Sequence, residues 1–258
     1  MDDFLFARTG ELFVPSGHTR GPWDPRAQHG GAPAALLAGV LEQLDTDAPM
    51  QVARFAMDVL RPVPLTPLRL VARVDRPGRR VQLCTASLFA GSDEVCRAWA
   101  WRIRVGAVAA PPEQSERIPA PEQGMLFEPE SDEPSLHRSG MEIRFLRGSL
   151  EAAGDAVAWF RLRVPVVAGE ATTPLQRTVA TADFCNGISP VFPPFTQLYI
   201  NTELTVHVVR PAAGEWVCLD AHTTVHERGI GIAEGRLLDA GGYVGRAAQA
   251  LLVDALPT

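Results

Sequence analysis

A chain that repeats itself at a fixed spacing must fold as two copies of one unit, and here the spacing is 149 residues. Arg61-Pro62 recurs as Arg210-Pro211, and the same gapless register pairs Ala72 with Ala221, Arg79 with Arg228, Val95 with Val244 and Arg97-Ala98 with Arg246-Ala247. Apolar character follows the register as well. Leu68, Leu70, Val81, Leu83 and Leu88 fall on Val217, Leu219, Ile230, Ile232 and Leu237. Identity is sparse, but the shared apolar pattern runs through the whole register, which indicates duplication.

Within each copy the dominant period is two. Phe55, Met57 and Val59 alternate with Arg54, Ala56 and Asp58, and Leu204, Val206 and Val208 alternate with Glu203, Thr205 and His207, the signature of a half-buried strand. Further strands are predicted at 68–75, 79–89 and 95–105, mirrored at 217–225, 228–238 and 243–253. Turn chemistry separates them at Arg76-Pro77-Gly78, Ala90-Gly91-Ser92-Asp93 and Asp239-Ala240-Gly241-Gly242. Upstream, Gly30-Gly31-Ala32-Pro33 opens a helix over 34–44, with Leu36, Leu37, Val40, Leu41 and Leu44 at helical spacing. Its counterpart is a less regular helix over 178–191 that carries Asp183, and one more strand precedes each helix, near 11–14 and 158–166. The predicted unit is strand, helix and four antiparallel strands, twice. Between the copies the chain is rich in Pro and Glu, which suits a connection, with Met125-Leu126-Phe127 able to pin it to the surface.

Composition removes several chemistries. The 258 residues include 24 basic side chains, all arginine, so no lysine is available for a Schiff base or a phosphate-binding P-loop. A net charge of −6 with scattered arginines argues against nucleic acid as a partner. Cys84, Cys96, Cys185 and Cys218 show neither a C-x-x-C pair nor zinc spacing with histidine, so no metal is expected and the thiols read as reduced and mostly buried. The acidic start at Asp2-Asp3 is unlike a signal peptide and no apolar run approaches ~18 residues, so the expectation is a cytoplasmic protein without a membrane span.

The second copy carries a more specific likeness. The run from Asn201 to Arg210-Pro211, then Gly214-Glu215-Trp216, Gly229-Ile230-Gly231, Glu234-Gly235, and Asp239 through Gly242 to Gln249, resembles the acyl-CoA thioesterase II (TesB-like) family. The resemblance implies an α+β double hotdog, two tandem repeats that each wrap an antiparallel sheet around a long helix. Its divisions are a first repeat over 1–105, a Pro/Glu-rich linker over 106–139 and a second repeat over 140–258. It also implies hydrolysis of an acyl-CoA or other acyl thioester without a cofactor. A water is held there by an acid on the second helix, a Thr or Ser at the following strand and a Gln on the last strand. Residue by residue, the acid falls on Asp183 and the amide on Gln249. The hydroxyl position falls on Asn201, with Thr202 adjacent, a departure from the family pattern that leaves open which of the two faces the water.

The repeat tests this set. Asp183, Asn201 and Gln249 correspond to Ala34, Val52 and Ala100, so only one copy carries the polar constellation. A carboxylate on an apolar helix loses water, which strengthens it as a base. Helix-start N–H groups at Gly30-Gly31, beside His29, can meet substrate oxygen. Two further readings stay open: a hydratase or dehydratase using His29 with Asp183, and a non-catalytic acyl or lipid binder. Glu234, Asp239, Arg61 and Arg210 read as surface or turn charges and Cys185 as core. If CoA is the ligand, arginines alone must meet its phosphates. Assembly into a homo-oligomer is open.

Overall fold

The computed structural model describes residues 3–109, 117–193 and 196–256. In chain order the first copy holds strands β1 (Phe6–Thr9) and β2 (Leu12–Pro15), helix α1 (Gly31–Gln43), and strands β3 (Met50–Val59), β4 (Leu68–Arg76), β5 (Val81–Ala90) and β6 (Asp93–Arg104). The second holds β7 (Met125–Leu126), β8 (Met141–Arg147), β9 (Ala156–Leu162), helices α2 (Pro174–Ala182) and α3 (Cys185–Ile188), then β10 (Leu198–Asn201), β11 (Glu203–Val208), β12 (Val217–His226), β13 (Ile230–Asp239) and β14 (Gly242–Asp254). The strands form a single antiparallel sheet in the order β1-β2-β4-β5-β6-β3-β11-β14-β13-β12-β9-β8-β7, with β10 also on β14. It wraps the helices as a double hotdog. Among the described residues no helix is long and apolar enough to cross a membrane.

The 149-residue spacing reappears in the hydrogen-bond register. Strands β3 and β11 join the halves, and Ala56 lies directly opposite Thr205, its own repeat partner, so a pseudo-twofold axis passes through that pair. On the helices the same axis passes between Gly31 and Ala180, again partners by 149 residues. A Cβ on Gly31 would come within 2.9 Å of the Ala180 carbonyl. Even the irregularities are copied. The register shifts between Leu88 and Phe89 and again between Leu237 and Leu238, which correspond exactly by the same spacing.

Helix α1 is apolar on every side, as a central helix must be, and ten of its thirteen residues are buried. Small residues let α2 approach it: a Cβ at Gly39 would collide with the Gln176 side chain. The carbonyls at its C-terminal end are met from the sheet, where the fully buried Arg102 of β6 donates to the Leu44 carbonyl at 2.6 Å and the Gln82 amide oxygen at 2.5 Å. A cation at a helix C-terminus also opposes the helix dipole favourably.

Three sequence expectations are corrected. The second helix begins four residues before Thr178, because Thr173 and Gln176 form a reciprocal capping box with Pro174 at the first helical position. It also breaks at Asp183-Phe184 before resuming as α3 instead of running on to residue 191. The single strand expected before each helix is a hairpin, β1–β2 and β8–β9. Asp239 and Arg210, read as separate surface or turn charges, pair with each other at the β13–β14 turn. Asp239 is buried, held by both guanidinium nitrogens of Arg210 at 2.5 and 2.8 Å and by the Ala213 and Gly241 N–H groups. Met125-Leu126 does pin the connection, as β7 against β8.

Candidate functional site

Asp183 is the C-cap of α2, and the helix break behind it turns its carboxylate toward the start of α1. It is 3% exposed. Two amides converge on one oxygen: Asn201 Nδ2 donates to Oδ1 at 2.9 Å and Gln249 Nε2 donates to the same atom at 3.1 Å. Charge-assisted bonds of this kind are among the stronger hydrogen bonds in proteins. Gln249 is fully buried and its orientation is fixed at both ends, since Nε2 also donates to the Asp183 carbonyl and Oε1 accepts from the Asn186 N–H at 3.1 Å.

The second oxygen, Oδ2, faces the first copy. His29 Nδ1 lies 2.9 Å from it, with the His29 side chain 12% exposed. A Cβ at Gly30 would stand 2.9 Å from Oδ2 and 3.1 Å from Oδ1. Gly30 has ordinary helical backbone angles, so its role is close approach and not conformational freedom. The Gly31 N–H donates to His29 Nδ1 at 3.1 Å, and the imidazole stacks on Phe184 at 4.4 Å between ring centroids. One ring nitrogen cannot both donate to Asp183 and accept from Gly31, so these two contacts are alternatives set by the tautomer.

Asn201 and Thr202 part company here. The pairing of β10 and β11 with β14 shifts by one residue across Thr202, and β3 shifts against β6 at the equivalent Ala53. Such a bulge re-aims neighbouring side chains. Asn201 turns inward to Asp183, whereas Thr202 is exposed and its hydroxyl donates to the Ala250 carbonyl at 3.3 Å. Thr202 therefore lies outside the cluster. Asp183, Asn201, Gln249, His29, Gly30 and Gly31 are brought together.

Sequence reasoning missed several supports. Phe184 and Asn186 sit one and three residues beyond Asp183 across the helix break, a spacing that could have marked Asn186. Leu136 and His137 come from the connection between the copies. A Cβ at Gly31 would meet Leu136 Cδ2 at 3.2 Å. Burial pushes the His137 imidazole down to about 4, with His29 and Arg138 adding to the shift. Two thiols near the site are held protonated: burial pushes Cys96 up to about 12 and Cys185 up as well, and the charge of Asp183 works in the same direction on both.

Comparison with known proteins bears on the family and the fold. Residues 19–103 match the family model for the acyl-CoA thioesterase N-terminal domain, and residues 112–253 match that for the C-terminal domain. Among solved structures, a conserved protein of unknown function with a hot dog fold from Alicyclobacillus acidocaldarius superimposes with a TM-score of 0.75 at 16% identity, covering 98% of this chain and 96% of that one. The acyl-CoA thioesterase II TesB2 from Mycobacterium marinum gives 0.66 at 16% identity, covering 90% and 91%. The tesB protein of Mycobacterium avium subs paratuberculosis gives 0.64 at 17%, covering 96% and 95%. No curated protein sequence matches.

Proposed function

Because the chain belongs to the acyl-CoA thioesterase family, we propose that it hydrolyses acyl-CoA thioesters at Asp183, with the first repeat over 1–105, the connection over 106–139 and the second repeat over 140–258. The observation that carries this reading is the double amide grip of Asn201 and Gln249 on Oδ1 of a buried carboxylate. Oδ1 accepts from two amides, so Oδ2, which faces His29 Nδ1 at 2.9 Å, is the oxygen that keeps a lone pair to take a proton. A water at Oδ2 attacks the thioester carbonyl carbon as its proton passes to Asp183. The negative oxygen that develops needs N–H donors, and the start of α1 supplies them. When Nδ1 of His29 carries the proton and turns it to Asp183, the Gly31 N–H is released for that oxygen. Collapse breaks the C–S bond, and the leaving thiolate regains a proton, giving free acid and CoA. The chemistry uses no cofactor.

The test is a panel of acyl-CoAs of graded chain length assayed by release of free thiol. Wild type is expected to release thiol and Asp183→Asn to lose at least about 100-fold in kcat/KM, the scale of general-base catalysis. Absence of release across the panel, or release unchanged in Asp183→Asn, overturns the proposal. The contact between His29 Nδ1 and Asp183 Oδ2 at 2.9 Å favours one second reading, a hydratase or dehydratase that uses the pair as acid and base. Hydration of an enoyl-CoA that disappears in His29→Ala, with no thiol released by wild type, would establish that reading instead.

A further inference from the structure

Across the pseudo-twofold axis, the positions of Asp183, Asn201, Gln249 and His29 are held by Ala34, Val52, Ala100 and Thr178. The polar set is missing from that half, yet the space is kept. A cavity of about 540 Å³ lies there, and its lining includes Met50, Gln51, Val52 and Thr178, the repeat partners of Tyr199, Ile200, Asn201 and His29. That volume is within the range of roughly 300–1,000 Å³ typical of small-molecule sites. Of the four positions that replace the polar set, Val52 and Thr178 line the cavity.

The walls are chemically uneven. Val52, Leu175 and Val208 make an apolar floor, and Glu42 supplies a polar corner. Burial pushes the Glu42 carboxyl up, against the lowering pull of the Thr173 hydroxyl and the Arg177 guanidinium. Gln51 in the same lining carries an amide that can donate to a carbonyl, so the polar end suits an oxygen-headed ligand and the floor suits a hydrocarbon chain. Among the described residues that line it, no carboxylate is held by two amides as Asp183 is, so a bound chain stays intact.

We propose that this cavity is a second, non-catalytic site for one unbranched acyl chain, its carbonyl head at the polar end of the lining, taken either as a free fatty acid or as the acyl group of a thioester. The inference rests on the reading of the Asp183 site as an acyl-thioester site, from which the likeness of the two halves is carried over.

Isothermal titration with decanoic acid and with decyl-CoA, a thioether that cannot be hydrolysed, tests it on the wild type, Leu175→Trp and Met50→Trp. Decyl-CoA is expected to bind wild type at two equivalents per chain. In each tryptophan variant, which fills the cavity from α2 or from β3, one equivalent is expected to weaken by about tenfold or more. Decanoic acid binding that the tryptophans remove identifies the free acid as the source; removal of decyl-CoA alone identifies the thioester. Met50 is only half-buried, so Met50→Trp carries the test if Leu175→Trp does not fold. One equivalent in wild type that the folded tryptophan variants keep, or two that neither folded variant disturbs, overturns the proposal. Thiol release is scored separately: its absence from wild type defeats the hydrolase reading, whereas loss of an acyl equivalent in Met50→Trp supports the cavity whatever that result.

Discussion

Gly30→Ala adds one methyl group at the point where the two halves meet the chemistry. The new Cβ would stand 2.9 Å from Asp183 Oδ2, 3.1 Å from Oδ1 and 3.3 Å from Cγ, so the carboxylate must retreat by a few tenths of an ångström. It cannot do so freely, because Asn201 and Gln249 hold Oδ1 at 2.9 and 3.1 Å. Stretching one of these bonds costs about 1.5–3 kcal/mol, the worth of a hydrogen bond to a charged group. Applied to the transition state, that is roughly a 10- to 100-fold loss in kcat/KM, consistent with the sensitivity of catalysis to sub-ångström misplacement. Stability should fall by a comparable amount, about 1.5–3 kcal/mol, because the stretched bond belongs to the folded state, while the helical angles of Gly30 suit alanine without backbone strain. Gly106→Ala is the control, since among the described residues nothing lies within 4 Å of a Cβ there. The assay is thiol release beside thermal denaturation. Wild-type kcat/KM in Gly30→Ala, in a protein whose Asp183→Asn variant is inactive, would refute the close-approach argument.

Four further outcomes are expected. Gln249→Ala leaves the Asn186 N–H without its acceptor and removes one donor from Asp183, so it should cost roughly 2–4 kcal/mol in denaturant unfolding as well as activity. Thr202→Ala should keep kcat/KM within about twofold, because the hydroxyl points to Ala250 and solvent, and a larger loss would return Thr202 to the site. Arg102→Met strips the end of α1 of its donor and should lower the melting temperature by roughly 5–15 °C, from about 2–4 kcal/mol. Burial raises the Asp239 carboxyl, but Arg210 and the Ala213 and Gly241 N–H groups outweigh it and the net shift is downward. A depressed carboxylate stabilises the fold above its ordinary range and ceases to as pH falls. The stability gap between wild type and Asp239→Asn should therefore be full near pH 7 and shrink below roughly pH 4.

Much of this was legible in the residues because a repeat converts one strand assignment into two. The pairing of Ala56 with Thr205 and the bulges at Leu88 and Leu237 obey a spacing first seen in Arg61-Pro62 and Arg210-Pro211. The convergence of Asp183, Asn201 and Gln249 was legible for the same reason, since their partners are all apolar. What could not be read was local parity. Simple alternation from Leu204 and Val206 turns Thr202 inward, and only the one-residue shift across it brings Asn201 to the carboxylate. The start of α2 was readable in Thr173-Pro174-Leu175-Gln176 but was obscured by the irregular apolar spacing that follows. The proximity of His29 to Asp183 depends on helix crossing, which periodicity does not encode.

The seam between β3 and β11 also sets a timetable for synthesis. Strand β3 ends at Val59 and its partner begins at Glu203, so a ribosome adding ~5–20 residues per second leaves that edge without its mate for roughly 7–30 seconds. During that interval the nascent first half presents Phe55 and Met57 on a strand with open backbone donors and acceptors, a template for pairing with neighbouring nascent chains. Yield in a cell is then governed by how that edge is guarded before residue 203 emerges, and slower translation or crowded polysomes should cost more soluble protein than any change in the finished sheet.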